Sequence, residues 1–150
     1  SEKKVKGIIL MGTPMFFKRE LSKRLMVKGL GLFKNFVKKK HDERAKKAIK
    51  EKIHYMHVPI KALTEVAKIM KESEELLPTI KAPTLIMQSA TDQILSNANA
   101  ELIYTKLGSK IKEKLFIPDS YHVFCLDKHK ELAFKKINKF IKKINSSEHQ

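Results

Sequence analysis

The sequence is poor in cysteine, arginine and glycine, and no apolar run in it approaches the roughly 20 residues that cross a bilayer. Each scarcity closes a class. Its one cysteine, Cys125, can form neither an internal disulfide nor a cysteine-based zinc site, and it fits a reducing compartment. Residues 1–11 lack the long apolar core and small-residue cleavage site of a secretory signal. A soluble, cytoplasmic protein is the expectation. Arginine is short where charge is lopsided: Lys plus Arg total 32 against 16 for Asp plus Glu, a net charge of +16. Such a balance first suggests nucleic acid or an anionic membrane. Only Arg19, Arg24 and Arg44, however, offer the planar fork suited to base and phosphate recognition. The lysines therefore read as a solvated surface, and nucleic acid is not an expected partner.

What remains is enough for one packed domain, with 150 residues, 42% of them hydrophobic. Val5 to Met11 (VKGIILM) is an apolar, β-rich run closed by Gly12, Thr13 and Pro14, and reads as a buried strand. From Phe17 to about Lys40, apolar residues at Phe17, Leu21, Leu25, Leu30, Phe33 and Val37 fall near helical spacing, with Gly29 and Gly31 as breaks. A second amphipathic helix is predicted from about Asp42 to Tyr55, and a third from near Pro59 to about Leu77. After Pro78 the period changes. Ala82 to Ser89 reads as a central strand, Asn97 to Leu107 as a helix ended by Gly108, and Ile111 to Ile117 as another strand. Asp127 is the expected cap of a last helix running to Ile144. Strands alternating with helices specify a parallel sheet, with the helices after the first strand sitting above it as a lid.

Open parallel sheets gather reactive groups on the loops leaving the carboxyl ends of strands. Asp92 follows the strand ending at Ser89, and His122 follows the strand ending near Ile117. Adjacent parallel strands lie about 4.8 Å apart, so these groups can meet despite their distance in sequence. A carboxylate against an imidazole fixes its tautomer and stabilises the imidazolium, the orienting half of a nucleophile, base and acid triad. The duller roles are a turn residue for Asp92 and a surface histidine for His122. His54 and His57, three apart, lack a third ligand of suitable spacing, so no metal is expected. Asp119 reads as a turn residue, Ser96 as a helix cap and Ser120 as part of the histidine loop.

The segments KGIILMGTPMFFK, APTLIMQSATDQIL, ANAELIYTKLGS and PDSYHVFCLDKHKE resemble the C-terminal part of a bacterial carboxylesterase or monoacylglycerol-lipase-like α/β-hydrolase. The likeness runs from about Lys6 to Ile144. It implies an α/β fold: the C-terminal half of an α/β-hydrolase, with about three parallel strands, flanking helices and a helical cap insertion. Residues 1–14 and 78–150 would form the partial core, and residues 15–77 the cap. The resemblance implies Asp92 as catalytic acid and His122 as catalytic histidine, in the family's order of acid before histidine. Relatives often carry glycine where this chain has Tyr121. Met15, Phe16, Phe17 and Met26 are candidates to line an acyl pocket for a small apolar ester, or else to serve as ordinary core. No cofactor is implied.

The family's nucleophile lies on a G-x-S-x-G turn, and no G-x-S occurs in this sequence. The chain is therefore expected to be inactive alone, to need the missing N-terminal half of the fold, and to self-associate through an exposed sheet edge. The competing class is a basic non-catalytic binding or assembly module, its lysines from Lys18 to Lys52 facing nucleic acid or an anionic membrane.

Overall fold

The computed structural model describes residues 5–16, 36–38 and 57–146. At its centre stands a three-stranded parallel sheet of β1 (Ile8–Met11), β4 (Thr84–Ser89) and β5 (Lys112–Ile117), in the order β1-β4-β5. β4 is buried at all six positions. A strand covered on both faces shows no in–out polar alternation: Leu85, Ile86 and Met87 are consecutive apolar residues, and the buried Thr84, Gln88 and Ser89 each engage their side chain in a hydrogen bond. Its side chains still alternate in destination. Ile86 points into a cluster with Met15, Leu77, Ala100, Ile103 and Leu107. Leu85 and Met87 point into a second cluster with Ile117, Phe124, Ala133 and Phe140. Each such buried side chain stabilises the fold by about 1.5–3 kcal/mol.

The helices supply the two covers. α1 (Ile60–Leu76) precedes β4, α2 (Ala98–Lys106) links β4 to β5, and α3 (Lys130–Ser146) follows β5. α3 buries Ala133 and Phe140 and turns its lysines outward. Lys136 and Lys143 reach back to Glu113 on β5, each at 2.6 Å, and hold that carboxyl below its ordinary range. Lys112 donates to the carbonyls of Tyr104 and Leu107 at the end of α2, where a cation also suits the helix dipole. Part of the lysine excess thus ties elements together.

The expected three parallel strands with flanking helices are present. Three local expectations need correction. The helix predicted from Phe17 to about Lys40 does not run through its last turn, because β2 (Phe36–Lys38) pairs antiparallel with β3 (His57–Pro59). The ladder sets Phe36 opposite Pro59, Val37 opposite Val58 and Lys38 opposite His57, and cross-strand bonding overrides a helical spacing. The rest of that helix, the one predicted from Asp42 to Tyr55, and His54 lie outside the described residues. Pro59 stands one residue before α1 in extended conformation and closes β3, instead of occupying the first helical turn. α2 ends at its C-cap Leu107, just before Gly108, as expected; the glycine is required there for another reason. Its amide donates to the Leu77 carbonyl at 3.0 Å, and a Cβ there would lie 1.9 Å from the Pro78 carbonyl oxygen, so close approach of two chains demands the glycine. Asp127 does not cap α3 with its carboxylate, which turns toward the amides of Tyr121 and Lys128.

No helix among the described residues is long and apolar enough to cross a membrane.

Candidate active site

Three strand ends converge at one edge of the sheet. β4 leads through Ala90 and Thr91 to Asp92, whose Oδ1 accepts the amides of Ile94 at 2.8 Å and Leu95 at 2.9 Å. A short carboxylate side chain bonding the backbone two and three residues ahead shapes its own turn. Oδ2 is thereby directed toward the neighbouring loop. There it meets His122 Nδ1 at 2.9 Å. The Asp92 side chain is fully buried, whereas that of His122 is 29% exposed. Burial by itself raises the Asp92 pKa, but the His122 hydrogen bond, the Leu95 and Ile94 amides and the imidazolium charge outweigh it. The net effect holds the carboxyl below its ordinary value. A carboxylate only accepts, so Nδ1 of His122 donates to it and Nε2 is the ring nitrogen left outside the pair. A base with one anchored nitrogen and one open nitrogen is the result.

The loop after β5 owes its path to several contacts. Asp119 adopts a left-handed φ of 38°, which Asp tolerates better than most residues, and forms an ion pair with Lys128. Ser120 Oγ donates to the Ile117 carbonyl at 3.1 Å, closing the turn that Asp119 makes. Tyr121 sits before His122 without backbone strain, since its φ is not in the left-handed region. Behind His122, Phe124 plugs the loop into the lower apolar cluster.

β1 contributes the third side. Gly12 has φ +56°, donates its amide to the Met87 carbonyl at 2.9 Å, and faces the imidazole. A Cβ there would come within 2.9 Å of His122 Cε1 and 3.2 Å of Nδ1. Gly12 therefore leaves the space that the ring fills, and does so in a conformation glycine adopts without cost. Sequence reading treated it only as a strand terminator.

The candidate pocket residues part company. Met15 is buried in the upper apolar cluster, and Phe16 is 36% exposed. Phe17 and Met26 lie outside the described residues. What fixes Met15 and Phe16 is Asn99, a buried side chain in the first turn of α2. Its Oδ1 accepts both amides, at 2.6 Å and 2.9 Å, and its Nδ2 donates to the Ser96 carbonyl at 3.0 Å. Asn99 was missed because nothing local marks a helix residue that bonds a segment 84 positions away. Ser96 Oγ accepts the Ala98 amide at 3.3 Å, close to its expected capping role. His57 lies exposed on β3. Among the described residues no group of three or more His, Cys, Asp or Glu is placed to hold a metal.

A paired carboxylate and imidazole on adjacent strand tips of a parallel sheet is an arrangement for moving a proton. The sequence model of the family described as serine aminopeptidase, S33 matches residues 2–129. The chain belongs to that S33 family. Two curated relatives are similar to it: a carboxylesterase of Bacillus subtilis (strain 168), 25% identical over 143 residues, and a thermostable monoacylglycerol lipase of Bacillus sp. (strain H-257), 28% identical over 93. These alignments cover 94% and 62% of this chain but 56% and 37% of the relatives. The chain thus spans about half the length, or less, of the curated relatives it matches. Among solved structures, one from a study of the metagenome-derived lipolytic enzymes LipS and LipT superposes with a TM-score of 0.76 at 30% identity, covering 92% of this chain and 55% of that one. The monoacylglycerol lipase of Paleococcus ferrophilus, at 16% identity, shares the fold with a TM-score of 0.71, covering 94% of this chain and 60% of its own. The expected kinship with carboxylesterase-like and monoacylglycerol-lipase-like α/β-hydrolases is borne out.

Proposed function

We propose that this chain is the C-terminal portion of a serine carboxylesterase or lipase-like hydrolase that cleaves carboxylic esters. It supplies the acid and the base, and a serine outside residues 1–150 attacks. The observation that carries this reading is the 2.9 Å contact from His122 Nδ1 to a fully buried Asp92 oxygen whose partner oxygen is held by two amides. The similarity to a carboxylesterase and to lipolytic enzymes supports the choice of ester as substrate.

In this reading His122 Nε2 takes the proton of the serine hydroxyl as its oxygen bonds to the ester carbonyl carbon. The imidazolium, stabilised by Asp92, returns that proton to the departing alcohol. Water then attacks the acyl-serine by the same route and releases the carboxylic acid and the free serine. Residues 15–77 are assigned as the cap, and Phe16 is the described candidate still partly exposed to meet a small apolar acyl group, Met15 being packed in the core. Residues 1–14 and 78–150 form the partial core that the N-terminal half of the fold completes. The reading implies no metal or organic cofactor.

A fluorophosphonate probe tests the assignment. The intact protein is expected to be labelled at a serine within a G-x-S-x-G turn upstream of Ser1, while residues 1–150 alone stay unlabelled and inactive. Labelling of any serine within residues 1–150 would overturn it. Asp92→Asn in the intact protein should lower turnover by about 10⁴-fold, because the amide donates to Nδ1 and moves the ring proton to Nε2, where the lone pair is needed. An unchanged rate removes Asp92 from the mechanism.

A further inference from the structure

The backbone ladder between β4 and β5 stops short of the acid and the base. The Ala90 amide donates to the Ile117 carbonyl at 2.8 Å, and Asp92 lies two residues beyond one end of that bond and His122 five beyond the other. Side-chain hydroxyls take over there. Ser89 Oγ, fully buried, donates to the Ser120 carbonyl at 2.5 Å, and Thr91 Oγ1 donates to the same oxygen at 3.0 Å. The Thr91 amide in turn donates to Ser89 Oγ at 3.2 Å, so the two hydroxyl-bearing residues brace each other. On the far side of the same peptide unit, the Tyr121 amide donates to Asp127 Oδ2 at 2.7 Å.

The Ser120–Tyr121 peptide is therefore gripped at both its oxygen and its N–H. A peptide unit is planar, so fixing those two atoms fixes the plane from which the chain proceeds to His122. The oxygen is held by the acid's own loop, which means that the loops bearing Asp92 and His122 are referenced directly to each other. Ordinary sheet bonding fixes strands and leaves loop tips free to drift, and a drift of about 1 Å at a reacting group costs as much as a hundredfold in rate. Two donors to one carbonyl also use both of its lone pairs, which restricts the oxygen sideways as well as lengthwise.

We infer that Ser89 and Thr91 are positioning residues for the base: their hydroxyls clamp the Ser120 carbonyl, with Asp127 as the opposing jaw, and so set the distance from His122 to Asp92. This inference rests on the hydrolase reading for its catalytic consequence, but the geometry it claims is measurable without any turnover. Neither hydroxyl touches substrate, and neither attacks.

The test compares Ser89→Ala/Thr91→Val, Thr91→Val and Thr91→Ser in the intact protein. By proton NMR, the low-field signal of the His122 ring N–H bonded to Asp92 is expected in the parent protein and in Thr91→Ser, weakened in Thr91→Val, and lost in the double variant. In ester hydrolysis, kcat of the double variant should fall by about ten- to a hundredfold with KM within about twofold, and Thr91→Ser should restore the rate lost in Thr91→Val. A folded double variant with the low-field signal and kcat unchanged would overturn the clamp. Should the double variant fail to fold, Thr91→Val decides the matter alone, since an unchanged signal there also overturns it. Absence of turnover in the parent protein would count against the hydrolase reading, with the NMR comparison still deciding the clamp.

Discussion

The two faces of β4 are built from different chemistry. Toward α3, Leu85 and Met87 pack into an apolar cluster in which Phe124 and Phe140 are each about 1% exposed, and the row turns polar only at its last residue, Ser89. Toward α2, Ile86 begins in apolar contact, but the same row ends at Gln88, whose Nε2 donates to Asn97 Oδ1 at 3.1 Å. Asn97 passes on to the Ala90 carbonyl at 2.9 Å, and Asn99 nearby holds Met15 and Phe16. Non-directional burial on one side sets how stable the sheet is. Directional bonds on the other side set where the chain goes, because a buried polar group that loses its partner is penalised and an aliphatic one merely repacks. The dry face anchors the histidine loop through Phe124, and the mixed face fixes the entry into the insertion through Asn99.

That contrast can be broken experimentally. Phe140→Ala on the dry face should cost about 3–5 kcal/mol in urea unfolding, the largest effect; a loss below about 1 kcal/mol would mean the face is not sealed. Asn99→Ala should cost about 1–3 kcal/mol by stranding the Met15 and Phe16 amides, with faster hydrogen exchange at those two positions. Asn99→Asp, which keeps the acceptor, should exchange more slowly than Asn99→Ala, and equal rates in the two would show that Oδ1 is not what holds the segment.

Smaller effects sharpen the comparison between buried and solvated charge. Asp92 is depressed below its ordinary value of 3.8 on folding, so the unfolded chain binds the proton more readily near that pH. Its contribution is complete above 3.8 and is lost as pH falls below 3.8 through the folded value. The stability that the Asp92 carboxylate adds over Asp92→Asn should accordingly fall as pH drops through that acid window. Its size should hardly depend on salt, because the carboxyl is shielded from solvent. Glu113, partly solvated and paired with Lys136 and Lys143, offers the opposite case. Glu113→Gln should cost no more than about 1 kcal/mol, shrinking in high salt, as thermal melts at two ionic strengths would show.

Much of this was legible in the sequence, for identifiable reasons. β4 could be read because Leu85, Ile86 and Met87 are consecutive apolar residues just after Pro83, and the alternation of strand and helix after Pro78 indicated the parallel order. Asp92 and His122 could be named because strand ends announce where reactive loops begin. Other features were hidden. Ser89, Thr91 and Ser120 are ordinary turn-forming residues in the text, and only the register between β4 and β5 brings residues 29 and 31 positions apart to one carbonyl. Gly12 looked like punctuation because the ring that needs its missing side chain comes from a distant loop. Asp127 read as a cap because Asp before a helix usually is one, yet the Tyr121 amide competes for the same oxygens. β2 hid inside a helical spacing because three paired residues are too few to impose a period of their own.

Six matched pairs, from Thr84 opposite Lys112 to Ser89 opposite Ile117, bring β4 and β5 to the sheet edge in step. A one-residue slip would carry the His122 tip about 3.3 Å past its carboxylate and turn every side chain of β5 over. Circular dichroism would scarcely notice, since the counts of helix and strand would stay the same. The contact between residues 92 and 122 thus works as a vernier for the whole sheet, reporting misalignment that bulk spectroscopy passes over.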